Sequence, residues 1–324
     1  MGLIYRATAR QAMLNNRVMP VVFGHYAWLK EWEAEKVQEA GSGILVAPGI
    51  GLAAKHVSKG FEKLDDRIEA AQRRMGTLSD RYTPKPTVTQ YAGLLYQAPK
   101  VRLPEEKDFL LWGVFVDWPS PDTDITVLQA EPATPAAKAE HEGMSFIEWQ
   151  LLPPQRGSEV DVFGFPNAKI TVGGGFHVAA ITLRSETVRV VEVFDVLQRH
   201  GLTSFPGFQV DRELAHGFSG GPAFYKGMFV GIFSGPDYVS SLWPLLIHEY
   251  PRREDNPDIG LFEAGTIRKP LVLRRFSDLF ADGTIRAHDL AEVEGRVQRV
   301  PCDEALADSN IESRCDKDHV VLAP

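Results

Sequence analysis

Cysteine is almost absent from this chain. Its 324 residues hold two, Cys302 and Cys315, both near the C-terminal end. The body of the chain therefore has no disulfide framework, which suits a reducing compartment. The pair itself either bridges within the tail or stays as two thiols. Two cysteines without a matching pair of histidines fall short of four ligands, so no metal is expected, and no cofactor motif stands out. Long basic runs are missing too. With 35 Lys and Arg against 43 Asp and Glu, the net charge is -8, which argues against nucleic acid as a partner. No apolar stretch approaches the roughly 20 residues of a membrane helix. The opening also lacks the apolar core of a secretory signal, and Arg6 stands where a myristoylation motif needs Ser or Thr. A cytoplasmic protein without a membrane partner is the expectation.

What is present is an ordinary globular composition, 44% hydrophobic and 24% charged, enough for one large core or two medium ones. After a short helical candidate around residues 7–15 the sequence turns β-rich. "SGILVAPGIGLAAKHV" reads as two strands around Pro48-Gly49, with small and β-branched residues between turn signals. Phe61, Leu64, Ile68, Ala71 and Met75 then recur at three and four residues, the period of an amphipathic helix. Strand-like runs resume at "TVTQYAGLLY", "FLLWGVFVDW" and "TDITVLQA". The Pro- and Ala-rich stretch 131–143 reads as a linker. Beyond it "EVDVFGFP", "TVRVVEVFDV", "GPAFY" and "MFVGIFS" continue the pattern of many short strands with Gly and Pro between. "TVGGGFHV" reads as a hairpin or bulge rather than a nucleotide loop. From about Pro236 the texture changes, and the stretch from Pro301 carries six acidic residues against two basic ones. Three units follow: 1–143 with a helical insertion near 59–76, 144–255, and an extension over 256–324.

One stretch concentrates the chemistry: "HGFSGGPAFY", residues 216–225. Gly217 to Gly221 satisfies G-x-S-x-G, the nucleophile elbow of α/β hydrolases. That elbow needs a helix directly after the serine, however, and Gly220, Gly221 and Pro222 are poor openers of one. The upstream strands also lack βαβ alternation. Ser219 is therefore either a nucleophile in a glycine-rich loop between strands or a hydroxyl in a tight turn. A nucleophile needs a base and a group to orient it. His56 ends a strand pair in "GLAAKHVSKG", and Asp124 stands just before the alternating run of "TDITVLQ". Asp122 and Asp117 are the nearby rivals, the first reading as a turn residue after Pro121 and the second as the end of the previous strand.

The order His56, Asp124, Ser219, with "GSGILVAPG" before the histidine, "VDVFGFPNA" before the serine and "GMFVGIFSGP" after it, resembles the chymotrypsin-fold (trypsin-like) serine peptidases. The likeness is nearest to their disulfide-free bacterial Deg/HtrA-like branch and spans roughly residues 41–236. It implies an all-β protein of two six-stranded antiparallel β-barrels, with an inserted helix in the first barrel and a C-terminal extension. It also implies a serine endopeptidase in which Ser219 attacks, His56 moves the proton and Asp124 orients His56. The backbone N–H groups of Gly217 and Ser219 would form the oxyanion hole, and Ser234 would support the aspartate. By the same resemblance Glu213, His216, Phe233 and Gly235 surround the substrate pocket. An acid at Glu213 would favour basic side chains, and a medium to large apolar or basic residue is expected there.

The chain departs from the family in three ways. Lys55 interrupts the Ala-Ala-His turn. Phe218 replaces the aspartate that pairs with a freed N-terminus in zymogen-activated members. The extension shows no PDZ-like strand pattern. The inserted helix either packs on the outer face or covers the cleft. Protein or peptide substrates are implied, with an activating or recruiting partner as a further expectation. A silent peptide-binding scaffold and an esterase on the same triad are the other readings.

Overall fold

The computed structural model describes residues 17–23, 38–57, 92–97, 109–120, 122–132, 135–166, 169–173, 176–180, 183–194, 206–253, 271–300 and 319–322. The helical candidates at 7–15 and 59–76, and both cysteines, lie outside these residues.

Six strands form a closed antiparallel barrel: β1 (Val18–Phe23), β2 (Gln38–Ala47), β3 (Ile50–Ala54), β4 (Ala92–Gln97), β5 (Phe109–Pro119) and β6 (Ile125–Pro132), in the order β1-β2-β3-β6-β5-β4. Pro48 and Gly49 make the turn between β2 and β3, with Gly49 at φ +75°, a left-handed conformation that glycine enters freely. Ile44, Leu45, Leu52, Trp112, Ile125 and Leu128 lie in the core around this barrel, each at most 1% exposed. The all-β architecture expected from the alternating strands is present in this closed barrel.

The stretch read as a linker is in fact helical over α1 (Pro135–Glu142). Proline at the first helical position has no N–H to waste, and the Ala-rich segment after it has high helix propensity. Pro/Ala content alone does not separate such a short helix from a linker, and burial of Ala137 against the barrel core settles the matter here.

The second half holds β7 (Glu148–Trp149), β8 (Glu159–Gly164), β9 (Lys169–Gly173), β10 (Phe176–Ala180), β11 (Arg184–Phe194), β12 (Gly207–Val210), β13 (Pro222–Tyr225), β14 (Met228–Phe233) and β15 (Tyr238–Ser241). Strands β9 and β10 pair as a separate antiparallel hairpin, as "TVGGGFHV" suggested. The others, with β18 (Arg286–Ala287), form an eight-stranded sheet ordered β13-β8-β11-β12-β15-β14-β7-β18, in which β13 also pairs with β14. Val160 and Val162, Val188 and Val190, and Phe208 and Val210 put alternate side chains into one buried cluster, the period-two pattern of strands with one face on a core. Between β13 and β14 the two central residues, Lys226 at φ 47° and Gly227 at φ 91°, make the hairpin turn, whose twist matches that of its strands.

The C-terminal extension shares this structure. Strands β16 (Glu249–Arg253) and β17 (Leu271–Arg275) pair with each other, and the helices α2 (Asp278–Ala281) and α3 (Leu290–Glu294) flank β18. Phe276, Leu279, Phe280, Ile285 and Val293 belong to the same core cluster as Trp149 and Phe229. The carboxylate of Asp289 accepts the N–H groups of Leu151 and Leu152, each at 2.8 Å, satisfying two donors of the segment that enters the second half. The extension is thus bonded to the strands that carry the candidate site. Among the described residues, no helix is long and apolar enough to cross a membrane.

Candidate active site

The histidine and the aspartate meet because β3 and β6 are neighbours in register. Their ladder pairs Ala54 with Ile125, and one step further the Lys55 N–H donates to the Asp124 carbonyl at 3.0 Å. β3 then gives way to helical backbone over 55–57, which swings His56 over the end of β6. The imidazole Nδ1 lies 2.7 Å from Asp124 Oδ2. The side chain of His56 is 41% exposed and that of Asp124 only 8%, so the carboxylate is sheltered and the ring opens to solvent. A carboxylate can only accept, so Nδ1 carries the hydrogen, and in the neutral ring the lone pair then lies on Nε2. The lysine that interrupts the expected Ala-Ala-His turn has a part here: its Nζ donates to the Ser120 carbonyl at 3.0 Å, tying the histidine turn to the loop that presents Asp124.

Ser219 lies in the loop between β12 and β13, and β2 holds that loop against the first barrel. The Ser42 N–H donates to the Ser219 carbonyl at 2.7 Å. A Cβ built on Gly220 would stand 1.9 Å from the Ser42 carbonyl and 3.2 Å from Ala54 N, two residues before His56. The serine loop therefore lies beside the His56 turn. From the other side, Gly220 N–H donates to Phe233 O at 2.7 Å, and Phe233 N–H to Gly221 O at 2.8 Å. Phe218 points inward and joins the core of the second sheet, 2% exposed. Apolar packing thus anchors the residue before the serine.

Gly217 adopts φ +100°, and a Cβ there would meet Phe165 O at 2.5 Å. No other residue fits without moving the chain. Among the described residues, neither the Gly217 N–H nor the Ser219 N–H donates to a protein acceptor. Gly217 is buried and Ser219 half-buried. Both N–H groups are therefore without an acceptor among the described residues, and a backbone donor in that state can serve an anion.

The remaining expected residues are less uniform. The Ser234 hydroxyl lies 2.8 Å from Ser240 Oγ and 3.1 Å from Ile232 O, so its hydrogen bonds run within the second sheet rather than to Asp124. Phe233 is 1% exposed and its side chain packs in the second core, because β14 alternates and this position faces inward. It does not line an open pocket. His216 is exposed and Gly235 half-buried. Glu213 is also exposed; the Leu214 N–H beside it donates to the Pro236 carbonyl at 2.6 Å, which draws the two segments together and leaves the carboxylate on the surface rather than at the bottom of a slot. A surface charge acts weakly through water and salt. Glu213→Gln is therefore expected to change the ratio of turnover for Lys against Leu peptides by less than about threefold. A larger fall for Lys alone would put the carboxylate against the substrate.

Two residues near the site gave no signal in the sequence. Tyr238 is 8% exposed, and its phenol is pushed well above its ordinary value by burial and then by the charge of Asp124. It stays neutral, within electrostatic reach of the aspartate. Ser42 is fully buried at the junction of the two halves. Each is an unremarkable letter in an alternating strand, and only its contacts mark it.

No protein-family model and no curated protein matches the sequence. Among solved structures, the chain is similar to Rv3671c from M. tuberculosis H37Rv, a mutant in its inactive form, at 15% identity and a TM-score of 0.40 over 74% of this chain and 89% of that one. It is also similar to the Rv3671c protease from M. tuberculosis in its active form, at 16% identity and a TM-score of 0.40 over 72% of this chain and 78% of that one. At these values neither likeness bears on the chemistry of this chain.

Proposed function

We propose that this chain is a serine endopeptidase that cleaves peptide bonds with Ser219, His56 and Asp124. The observation that carries the reading is the meeting of two half-sites. The 2.7 Å His56–Asp124 bond lies at one end of the first barrel. Ser219 is held against the adjoining strand β2, and among the described residues neither its own N–H nor that of Gly217 has an acceptor.

The chemistry runs as follows. With Nδ1–H bonded to Asp124, His56 Nε2 takes the proton from Ser219 Oγ as that oxygen forms a bond to the substrate carbonyl carbon. The carbonyl π-bond opens, and the oxyanion is met by the N–H groups of Gly217 and Ser219. His56 then returns the proton to the leaving amine as the C–N bond breaks. Water repeats the sequence on the acyl-enzyme, and Asp124 stabilises the imidazolium in each half. Protein or peptide is the substrate class, in a cytoplasmic setting, and an activating or recruiting partner would act on the same cleft.

A fluorophosphonate probe tests this. The wild type should be labelled on one serine, and both Ser219→Ala and His56→Ala should lose the label. A matched pair of peptide amide and peptide ester then separates a peptidase, which turns over both, from an esterase, which turns over the ester alone. A folded wild type without label is the result expected of a silent scaffold or of an enzyme awaiting its activator, and persistent silence with the partner added would end the peptidase reading.

A further inference from the structure

One buried residue of the first barrel holds both carbonyls of the pair whose N–H groups would bind the oxyanion. Ser42 N–H donates to the Ser219 carbonyl at 2.7 Å. Ser42 Oγ lies 2.6 Å from the Gly217 carbonyl and 3.0 Å from the Phe165 nitrogen. The carbonyl can only accept and the Phe165 N–H can only donate, so the direction is forced: the hydroxyl takes a hydrogen from Phe165 and gives its own to Gly217. The Phe165 N–H also reaches the Gly217 carbonyl, at 3.3 Å. The contact is close on every side. A Cβ on Gly41 would stand 2.6 Å from the Ser219 carbonyl, and Ser42 itself is 0% exposed, so no water can replace the hydroxyl without disturbing the packing.

Resting on the reading above, we propose that Ser42 is a positioning residue for the oxyanion hole. Gly217 sits at φ +100°, a conformation open to it because it has no side chain. Once its carbonyl is tied down, its N–H lies only two rotatable bonds, N–Cα and Cα–C, from a fixed peptide plane. The grip on Ser219 restrains the other donor in the same way. The donors belong to the second half of the chain and Ser42 to the first. The hole is therefore correctly formed only when the two halves are docked. Ser42 touches no reacting atom and acts through the two donors.

Ser42→Ala removes the hydroxyl and keeps the backbone N–H. Gly217 is then left with only its longer bond to Phe165. Turnover per titrated serine should fall about 10- to 100-fold, less than the loss of a whole donor, with KM within about threefold of the wild type. The Ki of a peptide aldehyde, whose hemiacetal oxygen occupies the hole, should rise in proportion to the loss in kcat. The Ki of the matching acid product, which does not need the hole, should stay level. Titrating the active serine separates misfolding from misplacement, because misfolded protein lowers the titre and leaves kcat unchanged. If the alanine protein does not fold, Ser42→Cys keeps nearly the same volume with only a weak donor and should show the same split. An unchanged kcat and aldehyde Ki in either variant overturns the proposal while the peptidase reading stands. A wild type that neither labels nor turns over peptide, with the partner added, removes both.

Discussion

Asp124→Asn is expected to lower kcat about 10⁴-fold while leaving the protein folded. The carboxylate accepts from His56 Nδ1 at 2.7 Å, and that bond alone selects the tautomer with its lone pair on Nε2. An amide can turn its NH₂ toward the ring and favour the opposite tautomer, which has a hydrogen where the base must be. It also lacks the charge that steadies the imidazolium. The side chain is 8% exposed, so solvent cannot take over either task. The fold should survive because the backbone carbonyl of Asp124 still accepts from Lys55. Steady-state rates and the speed of fluorophosphonate labelling should fall together. Asp122→Asn is the control. Asp122 is half-buried, with its N–H on Ser120 Oγ, and its replacement should change the rate by less than about threefold. Asp117 pairs with Leu128 along the β5–β6 ladder, three residues further along β6 than the Ile125 that ends the β3 pairing. A loss of under tenfold at Asp124, or an equal loss at Asp122, would show that another group orients the histidine.

Gly220→Ala is expected to damage both the fold and the serine loop. The new Cβ would lie 1.9 Å from the Ser42 carbonyl, at a φ of +85°, and the obstacle is backbone on both sides. Either β2 or the serine loop must retreat, which breaks the contact between the halves. We expect a loss of about 4 kcal/mol or more, read as a fall in Tm of roughly 10 °C or more, with fluorophosphonate labelling lost even in the fraction that remains folded. Gly227→Ala isolates the cause. Its φ is +91°, yet a Cβ there meets nothing within 4 Å, so only the backbone strain of about 1–2 kcal/mol remains. Similar losses in the two variants would mean that the left-handed conformation matters and the close approach to Ser42 does not.

Much of the fold was legible because it is written locally. The turn at Pro48-Gly49 and the alternation of Val160 with Val162 and of Val188 with Val190 depend on neighbours one or two residues away, and so does the poor fit of Gly220-Gly221-Pro222 to a helix start. The same holds for His56 and Asp124, which each sit at a strand end, the first marked by small and β-branched residues between turn signals and the second by an alternating run. The readings that failed lacked such a local mark. Phe233 looked like a pocket wall by its offset from Ser219, but the phase of β14 turns it into the core. Glu213 looked like a pocket floor by the same counting, and a backbone bond from Leu214 to Pro236 leaves it on the surface. Residues 131–143 looked like a linker from composition, and packing of Ala137 makes part of them a helix.

The kinds of chemistry proposed for this chain, and their order along it, are properties of the string of residues: a base, then an acid, then a hydroxyl among glycines. Strand alternation follows from the same string, because side-chain direction repeats every two residues. Which groups then become partners does not. The Ser42–Gly217 bond joins residues 175 positions apart, and the bond from Leu151 to Asp289 joins residues 138 apart. Whether an N–H is left free for an oxyanion depends on whether every other acceptor has been placed out of its reach. That is a condition on the packed whole, and no window of sequence contains it.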